Sequence, residues 1–222
     1  MRVKICGITQ IAQGKAIVEL GADSIGFICV QQSPRYIAPD RLRAIVDALP
    51  NETVKVGVFA NHELSEIVSV LAAGNLSAIQ LHGSESTEFC TQLRRQIAPE
   101  VELIKAFRIK SRESLAETQA YTDCVDTFLL DAYHPQMLGG TGHTIDWQDL
   151  ANFKPALPWM LAGGLTPENI GSALSRLCPN GIDLSSGVER SPGDKDLDQV
   201  SRLFRAINSH SPILRHSQDK GN

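Results

Sequence analysis

The chain has 222 residues, 42% of them hydrophobic and 21% charged, with a formal net charge of −4; these values suit an ordinary globular protein with a sizeable core and exclude wholesale disorder. The mild, evenly spread acidity leaves no electrostatic footprint for nucleic acid or for an acidic membrane surface, so neither is an expected partner. Five scattered cysteines without a C-x-x-C pair read as reduced thiols, and with no signal-peptide pattern and no apolar run of spanning length the expected location is the cytoplasm.

In chain order, a first strand at Arg2–Cys6 alternates Val3 and Ile5 with Lys4 and Cys6 and hands over to a turn at Gly7. Residues 11–20 carry a helical stripe that Gly21 ends. A second strand over 24–30 leads into a longer connection, 31–39, holding Ser33-Pro34-Arg35-Tyr36, and Pro39 and Asp40 open a helix to Leu49. A third strand over 53–59, a helix from Leu64 that stops at Gly74, and a short fourth strand over 77–81 running into His82-Gly83 follow. Ser84 is placed to cap a helix that Pro99 ends, residues 102–107 form the fifth strand, and Ser111 caps a weaker helix toward Tyr121. The sixth strand, 126–131, contains the unbroken apolar run Phe128-Leu129-Leu130 of a strand buried on both faces. Residues 132–145, with Gly139-Gly140-Thr141-Gly142, are too long and glycine-rich for a plain connector and read as a functional lid before a short helix from Asp146. A seventh strand over 159–162 ends in Gly163-Gly164, Thr166-Pro167-Glu168 opens a helix, an eighth strand spans 181–185, and a last helix over 195–207 precedes a polar tail.

Eight strands alternating with helices, each joined by a right-handed crossover, close most economically into a single-domain α/β fold, a (β/α)8 TIM barrel over residues 1–208 with a tail at 209–222. An open doubly wound sheet fits less well, because the first βα turn lacks G-x-G-x-x-G. A barrel gathers its strand ends at one mouth, so the residues that end strands there carry the chemistry. Cys6 ends the first strand. A buried small hydrophobe is the usual fate of such a cysteine, but its place beside a glycine, with Lys4 one layer deeper to favour the thiolate, makes it a candidate base. Asp131 ends the sixth strand; an ordering turn is the plain reading, and as an acid it needs a dry pocket or a negative neighbour to hold its proton.

Gly163-Gly164 and Ser185-Ser186-Gly187, on consecutive final strands, match the place where barrels hold phosphate on backbone N–H groups, although ordinary tight turns look the same. Arg35, in a loop stiffened by Pro34, is at a height where a guanidinium clamps a carboxylate, a solvated loop arginine being the alternative. Gln80 and His82 share a parity that faces the mouth. His62, His134 and His143 form no metal-ligand spacing, so no metal is expected.

Taken together, Lys4-Ile5-Cys6-Gly7-Ile8-Thr9, Ser33-Pro34-Arg35, Gln80-Leu81-His82-Gly83, Gly139-Gly140-Thr141-Gly142, Leu161-Ala162-Gly163-Gly164-Leu165 and Asp183-Leu184-Ser185-Ser186-Gly187-Val188-Glu189 resemble the phosphoribosylanthranilate isomerase family of tryptophan biosynthesis, in order from residue 2 to about residue 207. The resemblance implies a cofactor-free Amadori rearrangement of a small phosphosugar, N-(5-phosphoribosyl)anthranilate, to 1-(2-carboxyphenylamino)-1-deoxyribulose 5-phosphate. By carry-over, Asp131 is the general acid that opens the furanose ring to a Schiff base and Cys6 the general base that removes the C2′ proton. Arg35 holds the anthranilate carboxylate, Gln80, His82 and Asp183 contact the substrate, and Gly163, Gly164, Ser185, Ser186 and Gly187 hold its phosphate. Gln10, Ala60 and Ile145 depart from the pattern where the family often carries arginine, valine and phenylalanine; they touch packing and loop closure. Two other readings remain open: a histidine-pathway isomerase, which would pair two aspartates, and a catalytically silent metabolite-binding barrel, which would not need Cys6. Oligomeric state is not legible.

Overall fold

The computed structural model describes residues 1–109, 112–132 and 147–210. Eight parallel strands pair each with its successor and the last with the first, closing the expected barrel. They are β1 (Arg2–Cys6), β2 (Ser24–Ile28), β3 (Val54–Phe59), β4 (Ala78–Leu81), β5 (Glu102–Ile109), β6 (Thr127–Ala132), β7 (Trp159–Ala162) and β8 (Gly181–Leu184). The helices between and after them are α1 (Ile11–Glu19), α2 (Pro39–Val46), α3 (Leu64–Gly74), α4 (Thr87–Arg94), α5 (Arg112–Ala116), α6 (Trp147–Leu150), α7 (Ile170–Arg176) and α8 (Leu197–His210). Closure sets Val3 opposite Ile182 and Ile5 opposite Leu184.

Strand alternation divides the core in two. Val3, Ile5, Phe27, Phe59, Ile79, Leu81, Leu130 and Ile182 point outward and join the apolar layer under the helices. Val56, Ala78, Ile104, Leu129 and Met160, of the opposite parity, fill the lumen as a separate cluster. Ile5, Phe27 and Phe59 are wholly buried, each stabilising the fold by about 1.5–3 kcal/mol relative to exposure. At the amino ends of the strands the lumen is closed by a polar plug. Arg2 donates to Ser24 and to both carboxylate oxygens of Glu102, at 2.7–2.8 Å, and Thr127 donates to Glu102 at 2.7 Å.

Several element ends differ from the sequence expectation, each for a local reason. Helix α3 is closed by Asn75 in the left-handed region (φ 50); Gly74 serves helix packing instead, since a Cβ there would lie 2.5 Å from Leu42 Cδ2. Ser86 caps α4, accepting from Phe89 N, while Ser84 binds the Asn61 side chain. The weak helix toward Tyr121 splits into α5 and a 3-10 turn, Glu117–Tyr121. Before α8 the chain forms an unexpected antiparallel ribbon, β9 (Glu189–Ser191) and β10 (Asp194–Lys195), turned by Pro192-Gly193. The glycine-rich stretch 133–145 expected as a lid, with His134 and His143, lies outside the described residues, as do Ser111, Asp146 and the chain beyond His210. Among the described residues no helix is long and apolar enough to cross a membrane.

Candidate active site

A cleft of ≈ 260 Å³ opens at the carboxyl ends of the strands. Cys6 and Asp131 line it with Arg35, Gln80, His82 and Asp183; its remaining wall includes Gly163, Gly164, Ser185, Ser186 and Gly187. Every residue the sequence singled out for a site therefore comes to one place.

Cys6 ends β1 with its thiol turned into the barrel. Across from it β2 carries Gly26, where a Cβ would sit 2.6 Å from the sulfur; the missing side chain is what makes room for the thiol. A glycine interrupting the apolar run Ile25-Gly26-Phe27 was the available sign of this close approach. One layer deeper Lys4 is wholly buried and donates to Asp183 Oδ2 at 2.9 Å. Burial opposes its charge, but Asp183 and Cys6 outweigh burial and raise the ammonium above its ordinary value. Lys4 does not leave Cys6 a thiolate: burial pushes the thiol above its usual value, against the pull of the ammonium. The resting group at neutral pH is the thiol.

On β4, Gln80 donates through Nε2 to His82 Nδ1 at 2.9 Å. With Nδ1 accepting, the neutral ring carries its proton on Nε2, which lies 3.5 Å from Asp131 Oδ2. Among the described residues Asp131 is 33% exposed on its side chain and has the His82 ring, not a negative group, as its neighbour. Two acceptors on the cleft wall, Asp183 Oδ1 and Gln80 Oε1, are buried with no hydrogen-bond partner among the described residues. A buried acceptor without a donor is costly, and hydroxyl groups of a polyol placed in the cleft would satisfy both.

The opposite wall is backbone. Gly163 (φ 94) and Gly164 (φ 62) are both left-handed, and a Cβ on Gly164 would meet nothing within 4 Å, so bare main chain faces the opening. Thr166 closes the turn that follows, accepting from Asn169 N at 3.3 Å while Asn169 Oδ1 accepts from Thr166 N at 2.8 Å. The turn after β8, Ser186–Val188, lies hard against this one, since a Cβ on Gly187 would fall 1.9 Å from the Leu165 carbonyl oxygen. Exposed peptide groups in such a concavity favour an anion.

Arg35 is bound to a carboxylate of the chain itself, which the sequence did not show. Its Nε donates to both oxygens of Glu189 at 3.0 Å and its Nη2 to Oε2 at 2.6 Å. Glu189 also accepts from Lys195 Nζ at 2.7 Å and from Gly193 N at 3.1 Å. Burial would raise the Glu189 carboxyl, but the bonds from Arg35 and Lys195 bring it below its ordinary value, whereas burial outweighs Glu189 for Lys195 and lowers that ammonium. Sequence reasoning assigned no role to Glu189 or Lys195; the Pro192-Gly193 dipeptide was the signal for the hairpin that joins them. Among the described residues no group of three or more His, Cys, Asp or Glu side chains is placed to hold a metal ion.

Similarity to known proteins shows the family. A family model described as N-(5'-phosphoribosyl)anthranilate isomerase matches residues 3–206. A relative of that name from Gloeothece citriformis is 58% identical over 207 residues, 93% of this chain and 94% of its own, and one from Synechococcus elongatus is 56% identical over 214 residues, 95% and 98%. Among solved structures, the phosphoribosyl anthranilate isomerase of Thermotoga maritima superposes with a TM-score of 0.84 at 36% identity, covering 94% of this chain and 99% of that one. A further solved structure of phosphoribosyl anthranilate isomerase, in complex with reduced 1-(o-carboxyphenylamino)-1-deoxyribulose 5-phosphate, gives 0.81 at 34% identity over the same shares. With matches of this extent, the chain belongs to the N-(5'-phosphoribosyl)anthranilate isomerase family.

Proposed function

We propose that the cleft converts N-(5-phosphoribosyl)anthranilate to 1-(2-carboxyphenylamino)-1-deoxyribulose 5-phosphate, with Asp131 as general acid and Cys6 as general base. The observation that carries this reading is the meeting, in one cleft, of a carboxyl from β6 and a thiol from β1 beside the bare backbone wall of the turns after β7 and β8.

The phosphate and carboxylate of the bound substrate bring negative charge into the cleft and favour the protonated Asp131; it gives that proton to the furanose ring oxygen, the C1′–O bond breaks, and the nitrogen lone pair forms a C=N iminium. The iminium acidifies C2′–H. Its positive charge, with the Lys4 ammonium below, favours the Cys6 thiolate, the thiol proton having left to solvent. The thiolate takes the C2′ proton and the electron pair forms C1′=C2′ while nitrogen recovers its own. The enolamine then loses its hydroxyl proton and gains one at C1′, giving the ketone. Each positioned transfer is worth about 10²–10⁴-fold in rate. The backbone wall takes the phosphate and Arg35 the anthranilate carboxylate, so that holding both ends fixes the sugar between acid and base. The described cysteines are free, which suits a reducing compartment, the cytoplasm.

Mixing enzyme with substrate extinguishes anthranilate-type fluorescence as product forms. Cys6→Ala and Asp131→Asn each reduce that rate by at least about 10²-fold; undiminished turnover in Cys6→Ala rejects the assignment.

A further inference from the structure

We propose that Glu189 is a positioning residue for substrate recognition: held by Lys195, it fixes the Arg35 guanidinium with an unused edge toward the cleft, and so sets the preference for a substrate that carries a carboxylate on its aromatic ring. The inference rests on Arg35 meeting that carboxylate, as proposed above.

Arg35 is held at three levels. Its backbone N–H donates to Ser33 Oγ at 3.2 Å, and the neighbouring Tyr36 bridges to Ile28 at the end of β2. Its stem lies on the main chain of Gly7, where a Cβ would come within 2.8 Å of Arg35 Cδ; Gly7 has φ 80. Its head is held by Glu189 through Nε and Nη2. A guanidinium offers more than one bidentate edge. Glu189 occupies the Nε–Nη2 edge and makes no bond to Nη1, so among the described residues the Nη1–Nη2 edge remains for a second carboxylate.

Charge and burial argue against Glu189 as a stand-in that substrate displaces. Its side chain is 4% exposed and Lys195 is wholly buried, whereas Arg35 keeps 22% exposure. The anion is therefore enclosed and the guanidinium is the member that reaches the cleft. Glu189 Oε1 already takes Lys195 and the Gly193 N–H, partners that would lose a buried acceptor if it moved. A glutamate alone would cancel the arginine; with Lys195 the trio has two cations and one anion, and an attractive field for an incoming carboxylate survives. The ribbon carrying Glu189 and Lys195 is fastened to the β1–α1 region. Gln13 bonds Asp194 and Lys195, and Thr9 Oγ1 donates to the Gly193 carbonyl at 2.7 Å.

The test compares two competitive inhibitors, reduced 1-(phenylamino)-1-deoxyribulose 5-phosphates with and without the ortho carboxylate. The ratio of their inhibition constants reads recognition of the carboxylate and cancels changes at the phosphate and sugar ends. Arg35→Met brings the ratio toward one. Glu189→Gln, with Arg35 intact, reduces it by about tenfold, the value of one charge-assisted hydrogen bond. Should Glu189→Gln not fold, the double variant Glu189→Gln/Lys195→Met removes the unpaired ammonium and is read in its place. A ratio lost in Arg35→Met and kept in the Glu189 variants overturns the role of Glu189 and leaves that of Arg35. A ratio kept in Arg35→Met overturns the Arg35 reading, and this inference with it.

Discussion

Between Cys6 and Lys4 two effects compete, and burial wins: the thiol lies above its ordinary value although an ammonium sits beneath it. The sign of the consequence follows. A raised thiol is protonated at neutral pH and gives up its proton only as the solution becomes alkaline, so alkylation by iodoacetamide in the substrate-free enzyme is slow at pH 7 and accelerates with pH. Lys4→Met removes the charge that pulls the thiol down, leaves the Asp183 charge that pushes it up, and moves the alkylation profile further alkaline; a profile that stays in place rejects the coupling. The candidate pair, Cys6 and Asp131, was legible because each lies at or next to the carboxyl end of its strand, and strand ends are a local pattern. The pairing of Glu189 with Arg35 was not, since the two lie far apart along the chain. Glu189 is 154 residues from Arg35, and only closure of β8 onto β1 brings the two together.

At the scale of elements, the alternation of strand and helix specified the barrel because parallel strands need crossovers and the apolar parities agree with them. What escaped is an element too short to show a period. The ribbon β9–β10 is a few residues long; its last residue, Lys195, was read as the start of the last helix and the rest as connection. Its stability is tertiary: Gln13 of α1 donates to Asp194 Oδ1 at 2.7 Å and accepts from Lys195 N at 3.0 Å. Strand β5 likewise outruns its sequence pattern because β6 pairs with it as far as Ala132, opposite Ile109. Gln13→Ala removes the bonds to Asp194 Oδ1 and Lys195 N and the one that Nε2 donates to the Lys195 carbonyl at 3.1 Å, and leaves the buried Lys195 N–H without its acceptor, a local cost of about 1–3 kcal/mol. The amides of the ribbon then exchange with solvent about tenfold faster or more while those of β1 and β8 do not, and KM rises with kcat little changed, because Glu189 is carried on the loosened segment. Uniform exchange across the barrel would show that the ribbon has no separate anchorage.

The molecule as a whole divides its labour along the barrel axis. The carboxyl ends of the strands hold groups with unmet hydrogen-bonding capacity among the described residues, Asp183 Oδ1 and Gln80 Oε1, as a site that awaits a ligand does. The amino ends hold the Arg2–Glu102–Thr127 plug, which joins β1, β5 and β6 across the lumen and faces no cleft residue. In barrels of this kind function sits at the first end and stability at the second, so the two are separable by mutation. Arg2 and Glu102 are 23% and 22% exposed, and Arg2 Nη2 is buried without a partner among the described residues. Part of the burial cost of the guanidinium is therefore not offset, and its loss is milder than that of a saturated buried pair. Arg2→Met costs about 1–2 kcal/mol, which for a domain of this size lowers Tm by about 2–8 °C. Measured well below that Tm, kcat and KM stay within about twofold of the parent, an ordinary result for a change that leaves transition-state contacts intact. A Tm that holds steady would show that the plug adds nothing to stability, and a shifted KM would show that strain at the foot of β1 travels along the strand to Cys6.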